Sequence, residues 1–132
     1  MTPRLLMTAG AALLGIAGLA LLFAPTELQR LVTGSGSPSV PPIALQLWGA
    51  GLLGLGAANW IGRGLILGGI YSRALVLANL VHWTVGALTS VRAAFDDRGA
   101  AALWAAAVVY GAFALAFTWL LGRHPGTTPP SG

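Results

Sequence analysis

Long apolar stretches alternate with short polar ones along the whole chain. The apolar stretches cover residues 5–23, 43–62, 74–91 and 100–121. A helix rises about 1.5 Å per residue, so each stretch is about as long as the ~30 Å hydrocarbon core of a bilayer is thick. The pattern predicts an all-α integral membrane protein, in which a four-transmembrane-helix bundle forms a single domain over residues 1–122.

The first stretch also has the length of the apolar part of a signal peptide. Its one small-residue cleavage motif, Leu22-Phe23-Ala24, is followed at once by Pro25. We therefore interpret residues 5–23 as a spanning helix.

A short interfacial helix is predicted after the first span, over residues 25–32, because a proline suits the first turn of a helix. Leu28, Leu31 and Val32 form its apolar face, whereas Gln29 and its charged neighbours should face water.

The other polar connections predict loops and a tail. Residues 64–72 are too short to span and predict an interfacial loop that ends where Ser72 caps the third spanning helix. Asp96 and Asp97 are expected to cap the fourth. Residues 123–132 predict a flexible C-terminal tail.

Composition agrees with a membrane protein and excludes several other classes. Hydrophobic residues make up 56% of the chain and charged residues 8%, whereas about a quarter of a soluble domain is charged. The net charge of +4 comes from seven dispersed arginines, which is typical of membrane-flank anchors and not of a nucleic-acid-binding surface. The chain has no cysteine, so disulfides and thiolate metal sites are excluded.

The charge distribution also predicts an orientation. Four spans place both termini on one side, where four arginines oppose three on the other side. This favours cytoplasmic termini in a bacterial inner membrane.

Polar residues inside the third span are the candidate site. Asn79, His82 and Gly86 share one helix face, with His82 near the bilayer midplane and Asn59 of the second span at the depth of Asn79. We expect an amide-to-amide or amide-to-imidazole contact between these two helices. His82 should be neutral, buried and hydrogen-bonded to another helix or to a cofactor.

Two interpretations of these residues stay open. They are either polar contacts that hold helices together or a binding site. As a site, His82 is a candidate axial ligand of a porphyrin-type pigment, a proton carrier or a contact to a lipid-like molecule, with Asn79 and Asn59 beside it. The sequence requires no cofactor, and the only other histidine, His124, lies in the predicted tail, which argues against a site with two histidine ligands.

A strip of mostly small residues at four-residue spacing follows the second span. Such strips let helices approach closely in lipid. The strip consists of Gln46, Ala50, Gly54, Ala58 and Gly62. The same span contains G-x-G-x-x-G at residues 49–54, but we reject a dinucleotide site because the motif lies within a hydrophobic helix.

The run Asn59-Trp60, the segment GGIYSR at residues 68–73, and Asn79 with His82 resemble small bacterial four-helix membrane proteins of unknown function. The resemblance covers residues 43–92. It implies the four-span fold and no particular reaction.

These features predict a protein without enzymatic activity. It acts by helix packing, with itself or as an accessory subunit of a membrane complex, and its partners are the bilayer and other membrane subunits. The alternative is a binder or carrier of a small hydrophobic ligand or pigment centred on His82. A membrane enzyme of unknown reaction is the third interpretation.

Overall fold

The computed structural model describes residues 2–33, 40–64, 70–96 and 101–122 of the chain, which are all-helical apart from short connecting residues. The five helices are α1 (Pro3–Phe23), α2 (Pro25–Thr33), α3 (Pro42–Gly62), α4 (Ile70–Asp96) and α5 (Ala101–Gly122). The all-α class is confirmed. The predicted tail, the loop residues 65–69 and Asp97 lie outside the described residues.

Proline and a capping hydroxyl fix the ends of the first helices. The Thr2 side chain accepts a hydrogen bond from the Leu5 N–H, and Pro3 occupies the first turn of α1. The Ala24 N–H donates to the Ala20 carbonyl, and Pro25 disfavours a helical conformation at Ala24. The chain therefore turns at this point from α1 into α2.

Three helices are long and apolar enough to cross a membrane: α1, residues Tyr71–Asp96 of α4, and α5. Helix α3 has 21 residues, the same length as α1. It is not among the three, and it contains Gln46, Asn59 and several glycines between its apolar residues. The described residues are thus all-helical and include three helices that could span a membrane, which is consistent with membrane location.

Helix α4 is longer than the sequence pattern predicts. We expected a span over residues 74–91 with Ser72 as its cap, but Ile70, Tyr71 and Ser72 are already helical, and the helix continues to Asp96. Ser72 is buried, so it does not act as an exposed cap. An arginine that flanks an apolar stretch marks the membrane boundary, but it does not end a helix. Arginine has high helix propensity, so α4 continues through both Arg73 and Arg92.

The helices associate as two antiparallel pairs, α1 with α3 and α4 with α5. In the first pair, Gln46 near the start of α3 donates a 3.2 Å hydrogen bond to the Leu22 carbonyl near the end of α1. In the second pair, Phe95 at the end of α4 packs edge-on against Trp104 near the start of α5, with 5.3 Å between ring centroids.

Glycines bring α1 and α3 into backbone contact. A Cβ atom on Gly18 would lie 2.7 Å from the Gly49 carbonyl oxygen, and one on Gly49 would lie 2.8 Å from the Gly18 carbonyl oxygen. Further along, a Cβ atom on Gly56 would lie 3.2 Å from the Ala11 carbonyl oxygen. These glycines are therefore the residues that permit the close approach.

The predicted small-residue strip on α3 does not make this contact. A Cβ atom on Gly54 would meet nothing within 4 Å, and Ala50 is exposed. Gln46 and Gly62 do lie toward the bundle. Within the chain, α1 contacts a different set of small residues of α3, because four-residue spacing drifts around a helix of 3.6 residues per turn and small residues are available on either side.

Candidate ligand-binding cavity

The two helix pairs are joined by a buried pair of asparagine side chains. The Asn59 Nδ2 atom donates to Asn79 Oδ1 over 2.7 Å, and the Asn79 Nδ2 atom donates to Asn59 Oδ1 over 2.6 Å. Both side chains are fully buried. The amide-to-amide contact predicted from their equal depth is confirmed.

Aromatic residues surround this amide pair. The Trp83 indole N–H donates to Asn79 Oδ1 over 3.2 Å, and its ring stacks on Phe113 of α5 with 4.3 Å between centroids. Gly10 of α1 lies over Asn59, since a Cβ atom there would come within 3.3 Å of Asn59 Nδ2. We call Gly10, Asn59, Asn79, Trp83 and Phe113 the polar clamp. It brings together all four long helices.

His82 lies next to the polar clamp but outside its hydrogen bonds. Its ring is 5.1 Å from the Trp83 ring and 5.6 Å from the Tyr110 ring, measured between centroids. Its Nε2 atom is buried and has no hydrogen-bond partner among the described residues. The expected bond to another helix is thus not made, because Asn59 is already paired with Asn79.

A cavity of about 720 Å³ opens where the two helix pairs diverge, and His82 forms part of its wall. It is lined by the second half of α4, the first half of α5, the second half of α1 and the first half of α3, with α2 across its end. Pockets for small organic ligands measure about 300–1,000 Å³. The volume therefore suits a small organic molecule.

The cavity wall is apolar with few polar side chains. His82 and Tyr110 lie at its end next to the polar clamp, and Gln29, Thr89 and Ser90 lie toward α2. A few polar groups in an apolar wall are typical of sites that orient a hydrophobic ligand. Among the described residues, no three His, Asp or Glu side chains are grouped so that they could hold a metal ion.

A second cavity of about 240 Å³ lies on the other side of Tyr110. Ala17, Leu52, Ala106 and Tyr110 line both cavities. Leu13 and Val109 line only the second one, so the two cavities are neighbours that share part of a wall, and the second lies toward the α1 and α5 side.

Helix α2 contributes a residue that the sequence analysis placed in water. Gln29 is only 9% exposed and lines the large cavity beside Leu28, whereas Leu31, expected on the apolar face, is 84% exposed. The helix is thus rotated relative to our prediction, because it packs on the bundle as well as on the membrane surface. Hydrogen bonds from its own backbone N–H and from the Thr26 hydroxyl lower the pKa of Glu27, so this exposed side chain is charged at neutral pH.

The structure brings together part of the predicted site and adds two residues to it. Asn59 and Asn79 are paired in the polar clamp, and His82 lies beside them. Trp83 and Tyr110 were not predicted as site residues. A signal for Trp83 was present, since it follows Asn79 by four residues and such pairs meet on a helix surface.

Gly86 of α4 lies directly against an aromatic ring of α5. The Tyr110 ring lies directly against its Cα, where a Cβ atom would overlap the ring. Only a glycine at this position lets Tyr110 reach the wall of the cavity beside His82.

Comparisons of the chain with family models, with curated proteins and with solved structures find no match. The resemblance to small bacterial four-helix membrane proteins therefore stays a prediction. The function has to be inferred from the geometry of the cavity and the clamp.

Proposed function

We propose that this protein is an integral membrane protein that binds or carries a small hydrophobic molecule in the 720 Å³ cavity between its two helix pairs. The observation that carries the proposal is the largely apolar 720 Å³ cavity itself, with the His82 ring in its wall and no hydrogen-bond partner for the His82 Nε2 atom among the described residues. A ligand carbonyl or hydroxyl group that contacts this ring would give the imidazole a hydrogen-bond partner.

The structure gives less support than the sequence did to the alternative in which His82 holds helices together through hydrogen bonds. Asn59 and Asn79 make the interhelical hydrogen bonds, and both oxygens and both amide nitrogens take part. Among the described residues, His82 makes ring contacts with Trp83 and Tyr110, and its Nε2 atom has no hydrogen-bond partner. A single-histidine-ligated porphyrin-type pigment is one member of the ligand class that this site suits, and a carrier role follows if the bound molecule exchanges with the bilayer.

The membrane setting of the proposal includes α3 as a fourth span. Helix α3 packs along the whole of α1, and the Arg63 guanidinium carbon lies 3.5 Å from the Trp60 ring centroid at its end. Trp and Arg side chains are typical of the membrane interface. Both termini then lie on the same side, which we assign to the cytoplasm of a bacterial inner membrane.

The direct test is to identify what co-purifies with the protein from native membranes. We expect mass spectrometry of the organic extract, or the absorption spectrum if the molecule is coloured, to show one small molecule enriched over bulk lipid. Ala106→Phe fills the boundary between the two cavities and should reduce the bound amount several-fold. Val108→Phe is the matched control, because Val108 is on the same helix, is 70% exposed and lines neither cavity.

Equal extracts from wild type and Ala106→Phe, with both proteins folded, would contradict this proposal. If neither extract contains a small molecule that is enriched over bulk lipid, the proposed binding function is contradicted as well.

A second candidate function is packing against another copy or another membrane subunit. The open space at Gly54 and the exposure of Ala50 favour it, since these residues leave one side of α3 uncovered by the chain itself. Gly54→Leu should then reduce the oligomer size or remove the partner while the monomer stays folded. Unchanged assembly in Gly54→Leu would argue against this function.

A further inference from the structure

We infer that the ligand of the large cavity is an uncharged amphiphile of the lipid phase, with one carbonyl or hydroxyl group that hydrogen-bonds to His82 and an apolar body that fills the rest of the space. This inference rests on the proposed function and narrows it to one chemical class.

The absence of charge in the wall excludes ionised ligands. None of the described residues that line the cavity is Arg, Lys, Asp or Glu. An ionised phosphate, carboxylate or ammonium group would be desolvated there without an opposite charge, which is among the most costly situations in a membrane protein. A neutral carbonyl or hydroxyl group needs only one hydrogen bond, and an imidazole is both donor and acceptor.

The depth of His82 fixes where the polar group of the ligand lies. His82 is 12 residues after Ile70 and 14 residues before Asp96, so it is near the centre of α4. A bilayer lipid bound in its usual position would place its headgroup at the interface, near Ser90 and α2. Ser90 is eight residues beyond His82, or about 12 Å along the helix. A molecule that satisfies His82 therefore has its polar group deep in the membrane.

The open side of the cavity indicates whether the ligand enters from the bilayer or from water. Trp48 of α3 and Val81 and Val85 of α4 line the cavity, yet each remains more than half exposed, at 53%, 55% and 56%. In a membrane these side chains contact lipid tails. The opening between α3 and α4 is thus continuous with the hydrocarbon region, where uncharged amphiphiles are dissolved.

The second cavity sets the shape of the apolar body. Ala17, Leu52, Ala106 and Tyr110 line both spaces, so the second cavity, with Leu13 and Val109 in its wall, lies next to the first one. An elongated body that reaches from one space into the other uses both volumes, whereas a compact body fills only the first.

The test compares 1-dodecanol with dodecanoate, two probes with the same chain length and different head charge, in phosphatidylcholine nanodiscs at pH 8. The chain has only two histidines, so ¹⁵N-histidine labelling gives the imidazole signals of His82 and His124, and His82→Gln assigns them. We expect dodecanol to shift the His82 ring nitrogens and dodecanoate to need at least about a tenfold higher membrane concentration for the same shift. The His124 signal serves as the internal reference.

The outcomes separate this inference from the proposed function. Equal shifts with both probes would show that the cavity is occupied but not selective for neutral heads, which overturns the inference alone. A shift with dodecanol that persists in Ala106→Phe would place the probe outside the cavity and overturn it as well. If neither probe moves the His82 signal and no molecule co-purifies, the proposed function fails too.

Discussion

At the residue scale, Asn79 is the most highly connected polar group of the bundle. Its Oδ1 atom accepts from Asn59 and from the Trp83 indole, and its Nδ2 atom donates to Asn59 and to the Leu75 carbonyl. All four hydrogen-bonding positions of this amide are therefore used inside the protein. Such full satisfaction explains how a buried amide pair is tolerated at membrane depth.

The amide pair makes a prediction about stability. Asn59→Leu leaves one Asn79 donor and one acceptor position without their partner and should cost about 1–2 kcal/mol of unfolding free energy. Asn79→Leu should cost more, since it also removes the acceptor of the Trp83 N–H. The double variant should cost less than the sum, because it leaves neither amide unpaired. Unfolding of the four proteins in mixed micelles by SDS measures these differences, and strictly additive costs would contradict the coupling.

Depth counting from the flanking arginines predicted the Asn59–Asn79 contact but not the position of His82 beside it. The count gives height along a helix, and two amides at equal height on adjacent helices can meet directly. Whether the histidine joins them depends on rotation about the helix axis. That rotation is set by Trp83, which packs between the amide pair and Phe113. The four-residue spacing of Asn79 and Trp83 indicates that they are neighbours on α4, but it does not show that Trp83 stacks on Phe113 of another helix.

At the element scale, the α1–α3 pair depends on glycine where backbones touch. Gly18 and Gly49 face each other across the contact, and Gly56 lies one step further along it. Helix association in lipid relies on packing more than on hydrophobic burial, so these close contacts hold the pair together. The Gln46 hydrogen bond to the Leu22 carbonyl fixes its register at one end.

Adding a single methyl group distinguishes the two sides of α3. Gly49→Ala places a Cβ atom 2.8 Å from the Gly18 carbonyl oxygen and should destabilise the protein by about 1–3 kcal/mol. Gly54→Ala meets open space and should be neutral or slightly stabilising, because alanine favours helix by about 1 kcal/mol over glycine. Thermal unfolding in detergent measures both. Equal losses in the two variants would mean that Gly54 has a neighbour in the folded protein.

The sequence predicted where the helices begin and end more accurately than which side of each helix contacts its neighbours. The bounds of α1, α3 and α5 differ from the apolar stretches by only one or two residues, because apolar length determines them. The sequence did not identify the face of α3 that contacts α1, since alanine and glycine occur on both sides of α3. Only the position of the partner helix decides which small residues are used, and a single sequence does not contain that position.

At the scale of the whole molecule, the bundle is closed at one end and open at the other. The polar clamp and the core residues Leu6, Met7, Val76, Phe117 and Leu120 join the two helix pairs near the start of α1 and the end of α5. Toward α2 the pairs separate and the cavity forms. This asymmetry lets one small protein combine a stable core with space for a ligand. The cavity lies inside the hydrocarbon region only if α3 crosses the bilayer next to α1.

The topology of α3 can be decided by labelling, because the natural chain has no cysteine. We place single cysteines at Thr2 before α1, at Leu31 on α2 and at Gly64 after α3, where the last two side chains are exposed or meet open space. If α3 spans, an impermeant maleimide applied to one side should label Thr2→Cys and Gly64→Cys together and Leu31→Cys from the opposite side.

If α3 does not span, Gly64→Cys should instead be labelled together with Leu31→Cys, and the protein would have three spans. Ser131→Cys extends the test to the C-terminus. In the four-span arrangement it is labelled with Thr2→Cys, whereas an odd number of spans places it opposite. A three-span result would also remove the α3 wall of the cavity from the hydrocarbon region. The opening between Trp48 and Val85 would then lie at the membrane surface, and the selection for an uncharged ligand would lose its physical basis.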